Sequence, residues 1–343
     1  MRAFITGLAG PLLSDGERAF LREAEPWGLI LFQRNVAGGP QPLKRLIADA
    51  RTALGRDAPV LIDQEGGRVQ RLRPPHWPAY PPGAAYGALY GGDRQQGLAA
   101  AKLGARLIAA DLAALGIDVD CAPIADVPVA GADPVVGDRA YGDDPGKVAA
   151  IAAAIAQGLA DGGVLPVLKH LPGHGRAAAD SHARLPFVDT DRATLETTDF
   201  AAFRPLARLP LGMTAHVVFT AFDPIAPATV SPTIVRDVIR GSIGFKGLLM
   251  SDDISMGALE GSIAERSRAA IAAGCDLVLH CNGDMAEMAA VAGEAPVLAG
   301  AAARRAAAAL AGKRPATPID PIVGRSEFLK LMAAVWQPAQ SNA

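Results

Sequence analysis

The sequence predicts an α/β fold of the (β/α)8 TIM-barrel type, and three observations carry that expectation. Eight short apolar segments, each flanked by glycine, proline or aspartate, alternate along 343 residues with segments of helical spacing, as parallel strands joined by crossover helices do. Asp63, Lys169 with His170, His216, Asp252 and Asn282 all fall at or just after the C-terminal end of one of those apolar segments, the face on which a barrel builds its active site. Neither GLAGPL after the first strand nor GGRVQR after the third has the helix-opening GxGxxG arrangement that an open doubly wound sheet offers to a phosphate.

Residues 3–7 form the first expected strand and residues 15–25 the helix after it. GLILF at 28–32 is the second strand, followed by helical spacing over 42–54, and VLID at 60–63 is the third. A long insertion at 73–93, dense in proline, glycine and aromatic residues, precedes a helix over 95–115 and a fourth strand at 117–122. A loop containing GDRAYG leads to a helix over 145–161 and to the fifth strand, VLPVL at 164–168 with its approach. A helix over 192–209, strand 211–215, helix 232–240, strand 247–252, helix 262–273 and strand 276–279 complete the alternation. The remainder is alanine-rich and helical, with a proline-punctuated connector at 314–321 and an amphipathic helix over 327–336. Nothing in composition marks a second domain, so one barrel domain over 1–343 with a helical extension from about 313–343 is expected.

Half the residues are hydrophobic, enough for a large core, and the 33 basic and 35 acidic residues are well mixed, for a formal net charge of −2. No basic stripe points to nucleic acid. Cys121, Cys275 and Cys281 have no CxxC spacing and argue against a disulfide scaffold. The opening MRAFITGLAGPLL is a poor signal peptide, and no apolar run approaches the length of about 20 residues that spans a bilayer. A soluble cytoplasmic protein, monomeric, with no nucleic-acid or membrane partner and no cofactor or metal, is the expectation.

The stretch KHLPGHGRAAADSH, residues 169–182, gathers three of the six histidines together with Lys169 and Asp180. Its prolines, glycines and alanines read as a flexible loop. Asp180 bonded to one nitrogen of His182 fixes the tautomer and raises the basicity of the other, which makes a general acid/base; the bland alternative is an Asx-type turn with an exposed histidine. Asp252 and Asp253 end the seventh strand, and since strand side chains alternate, only one shares the side taken by Met250. An aspartate there serves as nucleophile, metal ligand or helix cap, and the pair alone does not choose. Asp63 with Arg71, and Arg139, can clamp the hydroxyls of a polar substrate or form rim salt bridges. Trp77 and the neighbouring tyrosines can stack on a sugar face, although packing of a long loop is the simpler role.

DQEGGRVQR at 63–71, the KH…GHG…DSH segment and Ser251-Asp252-Asp253 together resemble a bacterial β-N-acetylhexosaminidase of glycoside hydrolase family 3, of the short type that acts in peptidoglycan recycling. The likeness runs from about Gly28 to Asn282. Larger members of the family carry a second domain that supplies an acid carboxylate, which is not expected in a chain of this length. The resemblance implies that Asp252 is a nucleophile forming a covalent glycosyl-enzyme, and that His182, paired with Asp180, is the acid/base in place of the usual second carboxylate. It implies that Asp63, Arg71, Arg139, Lys169 and His170 bind N-acetylglucosamine, with His216 lining the pocket and His174 shaping the loop. The implied substrate is a carbohydrate, the non-reducing N-acetylglucosamine of GlcNAc-1,6-anhydro-MurNAc and its peptides.

Three other readings use the same residues. A metal-dependent barrel hydrolase would take zinc on the strand-end histidines and aspartates, but no HxH follows the first strand. A non-catalytic sugar-binding protein has no use for Asp252 and the dyad. A β-N-acetylglucosaminide phosphorylase would use phosphate where the hydrolase uses water, since a neutral acid/base repels an anion less than a carboxylate does.

Overall fold

Eight parallel strands close on themselves in the computed structural model, which describes residues 1–338. They are β1 (Arg2–Gly7), β2 (Pro26–Leu31), β3 (Val60–Ile62), β4 (Val119–Asp120), β5 (Leu165–Leu171), β6 (Leu211–Thr214), β7 (Leu248–Asp253) and β8 (Leu277–His280). Each pairs with its neighbours in sequence, and β8 returns to β1 through Phe4↔Val278 and Ile5↔Leu279, so the barrel has no open edge. The last five residues of the expected helical extension, 339–343, lie outside the described residues.

Strand alternation sorts the side chains. Leu61, Val119, Leu165, Val167, Leu211, Met213, Leu248, Met250, Leu277 and Leu279 point inward and pack as one cluster that fills the barrel. Ala306 and Ala309 of the helix Gly300–Ala311 join that cluster and close the barrel's N-terminal end. Their small side chains let the helix approach the strand ends closely. A second, larger cluster lies between the barrel and the surrounding helices. There the helices Arg94–Ala113 and Pro145–Asp161 meet on small residues: a Cβ on Gly158 would stand 2.3 Å from the Lys102 carbonyl oxygen.

The crossover helices begin where the chain supplies a cap. Ser14 and Ser262 form capping boxes with Glu17 and Glu265, and Asp93, Asp144 and Asp191 accept from the first turns of their helices. Three elements depart from expectation. The span 192–209 is a short helix, Arg192–Thr197, followed by two 3-10 turns. Pro205 has no N–H to give a helix, and buried Asp199 is turned to accept from Arg176 at 2.6 Å instead. The insertion at 73–93 contains a helix, Gly83–Gly92, hidden by its glycines. The last helix runs Pro321–Met332, earlier than expected, because Asp320-Pro321 is a cap followed by a proline in the first turn, not a break. Its Phe328 packs on Tyr80 and Tyr86, at ring separations of 6.2 and 6.4 Å, and so fastens the tail to the insertion.

The fifth strand also differs. It runs beyond VLPVL through Leu171, with Lys169 and His170 near its end. Its register against β6 shifts between Leu168 and Leu171, and that of β7 against β8 shifts between Met250 and Asp253. Bulges of this kind re-aim side chains at a barrel rim. Among the described residues, no helix is long and apolar enough to cross a membrane.

Candidate active site

One step above the apolar layer, the inward row of each strand changes character. Leu61 is followed by Asp63, Val167 by Lys169, Met250 by Asp252 and Leu279 by Cys281, so the floor of the rim cavity is built on the same alternation as the core beneath it. The cavity encloses about 390 Å³ and is lined by Asp63, Arg71, Arg139, Lys169, His170, Asp180, His182 and Asp252, among others.

At the floor, Lys169 Nζ donates to Asp63 Oδ1 at 3.0 Å and lies 2.6 Å from Glu65 Oε1. Arg71 Nη2 donates to Asp63 Oδ2 at 2.9 Å, and Arg139 grips Glu65 through both Nε and Nη2 at 2.9 and 2.8 Å. Burial alone would raise both carboxyls, but Lys169 and Arg71 hold Asp63 well below the usual carboxylate range, and Arg139 and Lys169 bring Glu65 to about 2. Burial works against the Lys169 ammonium too, yet the two carboxylates keep its pKa above that of an ordinary lysine. Removing that one cation leaves two buried carboxylates undercompensated. Lys169→Met should therefore cost on the order of 3–5 kcal/mol in denaturant unfolding, besides any loss of ligand binding; a change within 1 kcal/mol would mean the cluster is not held together by its charges.

Sequence reasoning passed over Glu65, although its spacing of two from Asp63 was the available signal. It also passed over Asp126, which is fully buried and accepts from His170 Nδ1 at 2.7 Å, from the His170 N–H at 3.3 Å and from the His174 N–H at 2.7 Å. Asp126 thus fixes the His170 ring and leaves its Nε2 for the cavity. His174 Nε2 lies 3.0 Å from Ser181 Oγ, and burial, then the neighbouring His170, lower its pKa to about 4. The unfolded chain binds a proton to this imidazole near its ordinary value while the folded chain does not. Its contribution is therefore complete above about pH 6.5 and declines as pH falls towards 4. Unfolding free energy measured across that window should lose this part of its slope in His174→Gln.

On the opposite wall, His182 Nδ1 lies 2.7 Å from Asp180 Oδ1, which also accepts the His182 N–H at 2.9 Å. The His182 side chain is 67% exposed, with Nε2 unengaged by any described residue. Burial would raise the Asp180 carboxyl, but the His182 backbone and ring hold it below the ordinary range.

The two aspartates of β7 differ in what holds them. Asp253 accepts from the Ser255 N–H and hydroxyl and from the Cys281 N–H, a fully used local acceptor. Asp252 Oδ1 accepts only from the Asp253 N–H, at 2.8 Å, and Oδ2 has no partner among the described residues. Burial disfavours its charge, but His216 and His170 outweigh that and keep its pKa below the usual value.

His216, expected to line the pocket, is fully buried just beyond the end of β6 and is not among the residues that line the cavity. Its Nε2 lies 2.9 Å from the Asp253 carbonyl oxygen, which can only accept, so Nε2 donates there, and Nδ1 lies 2.7 Å from Thr229 Oγ1. Burial, the largest influence on this ring, lowers its pKa, while Asp252 and the Asp253 carbonyl act in the other direction. Trp77 is buried in the larger hydrophobic cluster, its ring edge-on to His76 at 5.7 Å.

A parallel barrel whose rim cavity joins a lone carboxylate, a carboxylate-paired imidazole and an ion-pair floor has the construction of a barrel enzyme that works on a polar substrate. The profile of the "Glycosyl hydrolase family 3 N terminal domain" matches residues 13–306. The chain is 43% identical over 282 residues to the Beta-hexosaminidase of Alkalilimnicola ehrlichii, covering 80% of this chain and 79% of that one. It is 37% identical over 336 residues to the Beta-hexosaminidase of Chromobacterium violaceum, covering 97% and 93%. Its fold matches NagZ from Neisseria gonorrhoeae in complex with N-trifluoroacetyl-D-glucosamine, with a TM-score of 0.84, 30% identity and 97% of each chain covered. The chain belongs to glycosyl hydrolase family 3.

Proposed function

We propose that the chain is a retaining exo-β-N-acetylglucosaminidase that removes the non-reducing N-acetylglucosamine from peptidoglycan fragments, GlcNAc-1,6-anhydro-MurNAc and its peptides, in the cytoplasm. The observation that carries this reading is that Asp252 and the Asp180–His182 pair line one cavity with the Asp63–Lys169–Arg71 cluster. The Beta-hexosaminidase relatives and the amino-sugar complex of the gonococcal neighbour support the choice of sugar.

In this reading the sugar hydroxyls bind to Asp63, Arg71, Arg139, Lys169 and the free Nε2 of His170 through charge-assisted hydrogen bonds. The unpartnered oxygen of Asp252 attacks the anomeric carbon as the glycosidic C–O bond breaks. The bonding electrons pass to the leaving oxygen, which takes the proton from His182 Nε2. Asp180 steadies the imidazolium beforehand and the tautomer afterwards. Neutral His182 next removes a proton from water, whose oxygen attacks the anomeric carbon and displaces Asp252, so the β configuration returns.

A chromogenic N-acetyl-β-glucosaminide should be cleaved far faster than the matching β-glucoside, without phosphate and in the presence of a chelator. Preference for the glucoside would overturn the sugar assignment, a phosphorylated product would indicate phosphorolysis, and loss of turnover in chelator would favour a metal-dependent barrel.

A further inference from the structure

Ser181 stands between the two members of the dyad. Its Oγ lies 3.0 Å from His174 Nε2, and its carbonyl accepts from the Ala258 N–H at 3.1 Å. The next carbonyl, that of His182, accepts from the Gly257 N–H at 3.1 Å. Gly257 and Ala258 belong to the turn that follows β7, the strand carrying Asp252. A Cβ on Gly257 would stand 2.9 Å from both the His182 and the Ala183 carbonyl oxygens, backbone atoms with no rotamer by which to retreat. The backbone of Gly257 is not in the left-handed region, so what a side chain there lacks is room.

We propose that Gly257 is a positioning residue which, with the Ser181 hydroxyl, sets the height of the His182 imidazole over the cavity and ties it to the strand that carries Asp252. This rests on the reading of His182 as acid/base. The turn after β7 then acts as a gauge block: one end continues from Asp252, and the other bears on the two carbonyls beneath His182. Both reacting groups are thereby referred to a single rigid element, with His174 bracing the loop from the opposite side.

The test uses the full chain and two N-acetyl-β-glucosaminides, one with a 2,4-dinitrophenyl leaving group and one with a poor alkyl leaving group. Gly257→Ala and Ser181→Ala should each lower kcat/KM for the alkyl glycoside by about 10–100-fold, the cost of a sub-ångström to ångström misplacement. Each should leave kcat/KM for the dinitrophenyl glycoside within about twofold of wild type, because that leaving group needs no proton. In a His182→Ala background neither substitution should cost anything more on the alkyl glycoside, since the group they position is gone. Ser181→Ala removes only a hydroxyl and keeps the test open should Gly257→Ala fold poorly. Equal losses on both glycosides, or losses that add to that of His182→Ala, would overturn the proposal while leaving the acid/base reading intact. A His182→Ala enzyme with no leaving-group dependence would bring down the acid/base reading, and this proposal with it.

Discussion

Asp252→Ala should lose turnover by roughly 10⁴–10⁶-fold, the scale on which an enzyme is disabled by removal of its covalent nucleophile. Asp252 and Asp253 are adjacent and chemically identical, so their surroundings decide between them. Asp253 is consumed by the Ser255 and Cys281 donors and shapes the turn, whereas Asp252 keeps one oxygen without a described partner on the cavity side. Its lowered pKa keeps it ionised at neutral pH, as attack on carbon requires. A slow fluorinated N-acetylglucosaminide should therefore trap an ester on the peptide containing Asp252. Label on Asp253, or on any other carboxylate, would remove Asp252 from the role, as would an alanine variant that retains appreciable turnover.

The second large effect is selective. His182→Ala should slow cleavage of a natural sugar leaving group by on the order of 10²–10⁴-fold, the usual worth of general acid catalysis. For an activated aryl glycoside the first bond breaks without help, so the ester on Asp252 should accumulate and its hydrolysis become limiting. A burst of aryl alcohol, a lowered KM and acceleration by azide, which needs no general base, should follow together. Asp180→Asn, which keeps a hydrogen-bond partner but not its charge, should fall between wild type and His182→Ala. A uniform loss on both kinds of substrate, without a burst, would assign His182 to binding.

Much of the architecture was legible because period-2 and helical spacing survive in the sequence wherever packing is two-sided. Asp63, Lys169 and Asp252 were placed by the same alternation that set Leu61, Val167 and Met250 inside the barrel. Legibility failed where one contact overrides local preference. Pro205 and the pull of Arg176 on Asp199 broke a helix whose spacing was sound. The fifth strand runs on to Leu171 through a register shift that no local pattern announces. Glu65 and Asp126 escaped notice because a carboxylate that holds a cation or an imidazole in place carries no motif of its own; it is defined by partners distant in sequence, Arg139 and His170. His216 was read from its place at a strand end, and such a position says nothing of burial; the ring is fully enclosed.

The alanine helix beneath the barrel and the apolar layers within it leave the rim cavity as a well with one mouth. Whatever reaches Asp252 must come and go through the same opening, so one molecule has to clear it before the next can enter.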